Sequence, residues 1–316
     1  MALDSCTDVA DGALFELLER LDALGYDFVT PTPATHARVL GHGGKAEAHT
    51  LRDIFGWSLP FRRETIRADL VDLLERGGAL AGEGGLFRSR LRVSRVAGAL
   101  FLHSAYPTDR PDSVFLGPDT YRFVRFVAAL AARFAGARRI VDMGAGAGVG
   151  GIVAAKLAPG ARITLVDANP EALRLARINA AAAGVAVETF LAETIDDVPG
   201  EMDLVIANPP FIMDAGGPAY RDGGDMLGAR LSFDWAIGAA RRLGPGGLVL
   251  LYSGSAIVAG RDALREALER EMPALSCNLD YEEIDPDIFG EQLDLPAYRS
   301  VERIAAIGAV ISSAPE

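Results

Sequence analysis

The chain has 316 residues, of which 50% are hydrophobic and 23% charged, with a formal net charge of −12. This composition suits a globular chain with room for one large domain and a smaller one, and excludes a disordered polymer. Its acidity excludes nucleic-acid binding by bulk electrostatics, although residues 1–112 hold 13 Lys+Arg against 16 Asp+Glu and the remainder 18 against 27, so the N-terminal part repels a polyanion less.

In chain order, apolar spacing predicts helices over 14–24, 49–55 and 66–76, followed by two strands between Ala79 and Ser104. Helices followed by a hairpin predict a winged-helix-like N-terminal unit. The polar stretch Tyr106-Pro107-Thr108-Asp109-Arg110-Pro111 reads as a linker. The expected division is therefore an N-terminal substrate-recognition domain over 1–110 and a larger domain over 111–316. Strand-like runs then fall at 139–143, 162–167, 186–191, 203–207, 247–253, 276–284 and 304–311. Helical runs such as 170–183 and 229–243 lie between the first five. Such alternation predicts an α/β fold, a doubly wound and mostly parallel sheet with an antiparallel pair at its end.

The first strand of that series runs into Asp142-Met143-Gly144-Ala145-Gly146-Ala147-Gly148. Glycines at such a strand end let the backbone turn sharply and approach a ligand closely. The loop also satisfies the dinucleotide pattern G-x-G-x-x-G through Gly146 and Gly151, so on its own it is ambiguous. Asp142, two positions before the first glycine, can face the ammonium of an amino-acid-bearing cofactor. The second strand ends in Asp167, whose carboxylate can accept both ribose hydroxyls. Beyond the third strand, Glu193 can accept from an adenine amino group. Together these acids favour S-adenosyl-L-methionine over a nicotinamide dinucleotide.

The fourth strand is followed by Asn208-Pro209-Pro210-Phe211. On this tetrapeptide and the glycine loop, the chain from about Asp112 to Ile311 resembles the class I methyltransferases of the "small domain" group. That group carries an N-P-P-[FY] motif and methylates exocyclic amino groups of nucleic-acid bases or glutamine side chains of release factors. The resemblance implies a seven-stranded Rossmann-like methyltransferase sheet. It implies cofactor binding by Asp142, Gly144, Gly146, Gly148, Asp167, Glu193 and Asn208, and catalysis at Asn208, Pro209, Pro210 and Phe211. The chemistry is consistent with it. A base amino or carboxamide nitrogen is a poor nucleophile because its lone pair is delocalised. The Asn208 oxygen and a carbonyl such as that of Pro209 can accept its two N–H bonds and aim it. The prolines stiffen the turn, and Phe211 offers a flat face to a planar group.

The segment Val114-Phe115-Leu116-Gly117-Pro118-Asp119-Thr120 is similar to one that borders the substrate pocket of the glutamine methyltransferases through P-x-T. Here Leu116-Gly117 stands where that family has proline-arginine, and Phe211 where it has tyrosine. The acceptor class, protein or RNA/DNA, stays open. A second reading is a non-catalytic S-adenosylmethionine-binding regulatory module. Residues 220–225 read either as a lid over the site or as a plain surface loop. Arg88, Arg90 and Arg92 read as one strand face, able to hold phosphates or simply solvated.

His36, His42, His49 and His103 match no zinc spacing, and no metal is expected. No apolar run is long enough to cross a bilayer, so no membrane partner is expected. Residues 1–12 lack the basic start and apolar core of a secretory signal, and only Cys6 and Cys277 occur. The expected setting is cytoplasmic.

Overall fold

The computed structural model describes residues 8–42, 46–213 and 222–314. Helix α1 (Val9–Ala23) starts at Asp8, whose carboxylate caps the Ala10 amide. It buries Leu14, Leu17, Leu18 and Leu21, the one-sided stripe of an amphipathic helix. Next come α2 (Pro33–Gly41), α3 (Leu51–Phe55) and α4 (Ala68–Arg76). The expected helices at 14–24, 49–55 and 66–76 are α1, α3 and α4. Helix α2 was not anticipated, although Thr32 accepting from the Thr35 amide, with Pro33 in the first turn, is a start signal of the usual kind.

Between Ala79 and Ser104 there are four strands, not two: β1 (Leu80–Glu83), β2 (Leu86–Ser89), β3 (Leu91–Val96) and β4 (Ala99–Ser104). They form two separate antiparallel hairpins. Each closes through two residues at positive φ, Gly84-Gly85 and Ala97-Gly98. Turns this short leave no polar loop, so each pair of strands reads as one continuous run.

The larger part begins with α5 (Pro118–Ala129) and α6 (Ala131–Phe134). It then alternates: β5 (Arg139–Met143), α7 (Val149–Leu157), β6 (Arg162–Asp167), α8 (Pro170–Ala182), β7 (Glu188–Leu191), β8 (Met202–Ala207), α9 (Arg230–Ala240) and β9 (Leu243–Val258). After β10 (Arg261–Asp262) and α10 (Ala263–Glu271), the chain closes with β11 (Cys277–Asp285) and β12 (Arg303–Ser313). The main sheet runs β11-β12-β9-β8-β5-β6-β7, with the two-residue β10 pairing onto β9 off this path. Strands β7, β6, β5, β8 and β9 are parallel. β12 enters antiparallel between β9 and β11, which gives the expected terminal pair. Because β5 to β8 are parallel, their C-terminal ends share one edge of the sheet, where ligands of doubly wound sheets bind.

Two apolar layers cover the sheet faces, one built around Leu165, Leu204, Ile206 and Leu250 and the other around Val166, Val205, Val249 and Leu251. The N-terminal helices and β3–β4 share a third core with α7 and α8, joining Leu17, Phe101 and Leu102 to Ile152, Leu175 and Ile178. Asn179 on α8 fixes this junction from a fully buried position. Its Oδ1 accepts from the Leu102 amide at 2.8 Å, and its Nδ2 donates to the carbonyls of Leu102 at 3.0 Å and Ala147 at 2.9 Å. One carboxamide thus ties β4 to the glycine loop. Asn179→Leu keeps the volume but strands those buried polar groups, each costing about 1–3 kcal/mol. The expected result is a loss of about 3 kcal/mol or more in urea unfolding; an unchanged midpoint would show that the junction is not held this way.

Candidate active site

The glycine loop links β5 to α7. Gly144, Gly146 and Gly148 all adopt left-handed backbone, with φ of +70°, +54° and +79°. At Gly144 the space is also taken: a Cβ there would stand 2.7 Å from Cη2 of Trp235 on α9. Glycine is therefore required at this position both by conformation and by close approach.

Asp142 ends its strand fully buried, with Oδ2 accepting from the Gly151 amide at 2.6 Å. The carboxylate thus bonds to the first turn of α7, where helix amides favour negative charge. Burial raises its pKa to about 7; the neighbouring Asp167 charge adds to the rise and the Gly151 bond opposes it. Asp167, at the end of β6, accepts from the Gly146 amide at 2.8 Å through Oδ2 and from the Asn169 amide at 2.9 Å through Oδ1. Burial also raises the Asp167 carboxyl, against those bonds. Asn169 caps α8 and donates to the Asp112 carbonyl, so the β6 end is braced from two sides.

Asn208-Pro209-Pro210-Phe211 leaves the end of β8. The Asn208 carboxamide is half-buried and has no hydrogen-bond partner among the described residues. Phe211 is buried, packs edge-on against Phe289 with centroids 5.6 Å apart, and lies against Gly254. Beyond it the chain is held by two contacts: Tyr298 accepts from the Met213 amide at 2.7 Å, and the Gly223 amide donates to the Ile212 carbonyl at 2.7 Å. Of the segment read as lid or loop, residues 220 and 221 lie outside the described residues. Residues 222–225 lie folded against the turn, where a Cβ on Gly223 would meet the Pro210 carbonyl at 2.7 Å.

These strand ends open into one cleft of about 1010 Å³. Asp142, Gly144, Gly146, Asp167, Glu193, Asn208, Pro209, Pro210 and Phe211 all line it; Gly148 does not, and faces Ala176 of α8 instead. Glu193 is exposed at the rim. Tyr106, Thr108, Asp109, Phe115, Asp119 and Thr120 also line it, with Trp235 beside Gly144 and Phe289 against Phe211. Sequence reasoning missed Trp235 and Phe289, which no local pattern marks. The segment read as a linker is cleft wall: Thr108 is buried, and Tyr106 stacks on the buried His36 at 4.1 Å.

The arginine face does not form. Arg88 lies on β2, Arg90 falls between strands and Arg92 lies on β3. Arg92 is buried and donates to the Ser104 carbonyl, while Arg88 is exposed and donates to the Ser58 carbonyl. The chain bends at Arg90, spanned by the Ser89 hydroxyl bonding Leu91, so alternation along a single strand is lost. Among the described residues no His, Cys, Asp and Glu cluster could hold a metal, and no helix is long and apolar enough to cross a membrane.

Residues 125–219, from α5 to just beyond the Asn208 turn, match the family model of the methyltransferase small domain. Over this segment the chain is similar to the methyltransferase small domain. The chain is 33% identical over 194 residues to a release factor glutamine methyltransferase of Cereibacter sphaeroides, covering 57% of this chain and 62% of that protein. It is 40% identical over 73 residues to ribosomal RNA small subunit methyltransferase C of Serratia proteamaculans, covering 23% and 21%. The chain thus spans about a fifth to three fifths of the length of these curated relatives. Among solved structures, a tRNA m1G37 methyltransferase of M. jannaschii aligns at 14% identity with a TM-score of 0.48, covering 75% of this chain and 59% of that one.

Proposed function

We propose that this protein is an S-adenosylmethionine-dependent N-methyltransferase acting in the cytoplasm on a planar amino or amide nitrogen of a macromolecule. The observation that carries this reading is that the small-domain glycine loop and the Asn208-Pro209-Pro210-Phe211 turn open into the same cleft. Its volume of about 1010 Å³ stands at the top of the range of small-molecule and cofactor sites.

The residues present fit S-adenosylmethionine. At Gly146 the nearest atom to a Cβ would be the Phe115 carbonyl at 4.0 Å, so the loop leaves open space there, and the carboxylates of Asp142, Asp167 and Glu193 suit an ammonium, a ribose diol and an adenine amino group. The cofactor supplies an electrophilic methyl on a sulfonium. The chain supplies position. The Asn208 oxygen and the Pro209 carbonyl, on which no backbone bond ends among the described residues, accept the acceptor's N–H groups. Phe211 bounds the planar group, and Pro209 and Pro210 keep the acceptors aimed. Residues 1–110 form the recognition unit in this reading, since Tyr106 and Asp109 line the cleft. A purely regulatory cofactor-binding module has no use for an acceptor half of this kind.

Asp142 offers a direct test. Its carboxyl is pushed up to about 7, so the free protein holds it partly protonated at neutral pH. A bound ammonium favours the ionised form, so binding releases a proton where that group titrates. Calorimetry should show S-adenosylmethionine affinity rising from pH 6 to pH 8, with buffer-dependent heats near pH 7 that vanish in Asp142→Asn. Tight binding of a nicotinamide dinucleotide, or no binding of S-adenosylmethionine, would refute the cofactor assignment.

A further inference from the structure

Methyl transfer to an amino or amide nitrogen leaves a proton to be removed. The nitrogen lone pair forms the new N–C bond as the C–S bond breaks, and that electron pair stays on sulfur as a neutral thioether. The nitrogen then carries the methyl, both of its hydrogens and the positive charge. The Asn208 oxygen and the Pro209 carbonyl can accept hydrogen bonds from it, but an amide oxygen is too weak a base to keep the proton.

Asp119, in the first turn of α5, is a buried carboxylate that lines the cleft. Strand register brings it toward the Asn208 turn. The last pair along β8 and β9 is Ala207 with Leu251. Ile206, Leu250 and Tyr252 share one apolar layer, and strand alternation carries position 208 to the same face as Ile206. Asn208 and Tyr252 therefore stand at neighbouring positions on one face, one step beyond that pair. Phe211 lies against Gly254, two residues further along β9. The fully buried Tyr252 donates its hydroxyl to Asp119 Oδ1 at 2.8 Å. Resting on the transferase reading above, we propose that Asp119 is a catalytic residue, whose carboxylate takes the proton that the acceptor nitrogen loses, directly or through one water.

The surroundings suit a base. Arg122 approaches Oδ1 at 3.4 Å and is itself held by Asp285 of β11 at 3.0 Å, so the carboxylate is anchored on one oxygen by α5 and β9. Burial raises the Asp119 carboxyl and the Asp285 charge adds to the rise, against the Tyr252 bond and Arg122. A carboxylate made more basic in this way is the better proton acceptor near neutral pH. Burial and Asp119 together raise the Tyr252 hydroxyl, which therefore stays protonated as the donor. Asp142 and Asp167 are the other buried acids of the cleft, and both are bonded to amides of the glycine loop or the helix starts beside it.

The test uses the full chain in excess over acceptor, S-adenosylmethionine labelled on its methyl, and extract from host cells lacking the gene. Asp119→Asn keeps an oxygen for Tyr252 and removes the base. It should lower the maximal rate of label transfer by about 10²-fold or more without raising the extract concentration needed for half of it. Cofactor affinity by calorimetry should change less than about twofold, and the melting temperature should stay within a few degrees. Saturating cofactor keeps Asp142 ionised through the bound ammonium. Under that condition parent transfer should fall toward acid at a pH above the ordinary carboxylate range, as Asp119 protonates, and the Asn variant should be low and flat. Tyr252→Phe keeps the carboxylate and loses its anchor, so it should cost less transfer than Asp119→Asn. An Asn variant within about twofold of the parent rate, one that retains the parent's acid limb, or a larger loss in Tyr252→Phe would overturn the assignment and leave the transferase reading standing. Binding of S-adenosylmethionine with label in no macromolecular fraction would overturn both.

Discussion

Asp167→Ala should weaken S-adenosylmethionine binding by about 1.5–3 kcal/mol, roughly 10- to 150-fold in Kd. The carboxylate has about four lone-pair positions. Two are used by the Gly146 and Asn169 amides, with the Ala168 amide also favouring the charge, and the capacity that remains can accept from a ribose diol. The same two bonds hold the glycine loop and the start of α8 in place, so the group is preorganised before the ligand arrives. Alanine removes the ribose acceptors and also frees the loop. Asp167→Asn separates the two effects: a carboxamide oxygen can still accept from one amide but offers only one oxygen in all. Its affinity should fall between those of the parent and the alanine variant. Calorimetry reads both; an alanine variant that binds as tightly as the parent would remove Asp167 from the cofactor site.

Much of the larger part was legible from sequence because its signals are local. Strands β5 and β6 appear at their expected residues, each an apolar run stopped by a loop signal. Gly144 and Gly146 announced a backbone that only glycine adopts easily, and the positive φ values match. Asn208 was marked by the two prolines that follow it. What was not legible depends on contacts distant along the chain. Trp235 matters because it covers Gly144, and nothing around residue 235 encodes that. The arginine face failed because the chain bends at Arg90 between two separate hairpins, so β2 and β3 were read as one straight strand. The stretch around Tyr106 has a linker's composition, but His36 and the cleft give it a structural place. Asp142 was read as facing a ligand ammonium. It does line the cleft, but one oxygen is already committed to the Gly151 amide, which a sequence cannot display.

Asn208→Ala carries the largest expected effect. The Asn208 carboxamide stands at the end of β8 with no protein partner among the described residues, in a cleft wall otherwise well braced. As the acceptor nitrogen becomes tetrahedral its protons grow more acidic, and the bond to the Asn208 oxygen strengthens. Such a bond belongs mainly to the transition state, so its loss lowers kcat more than it raises KM. Removing one preorganised partner of this kind costs about 10²–10³ in rate. Cofactor affinity should stay near the parent's, because Asp142, Asp167 and Glu193 hold the other half of the cleft. Asn208→Asp should retain part of the activity, since a carboxylate still accepts hydrogen bonds.

The most direct measurement of the central claim is to locate the transferred methyl by mass spectrometry of the labelled acceptor, with the parent and Asn208→Ala compared under single-turnover conditions. The account predicts a methyl on nitrogen in the parent product and a single-turnover rate lower by about 10²–10³ in the alanine variant. A methyl on oxygen or carbon, or an alanine variant that transfers at the parent rate, would contradict it.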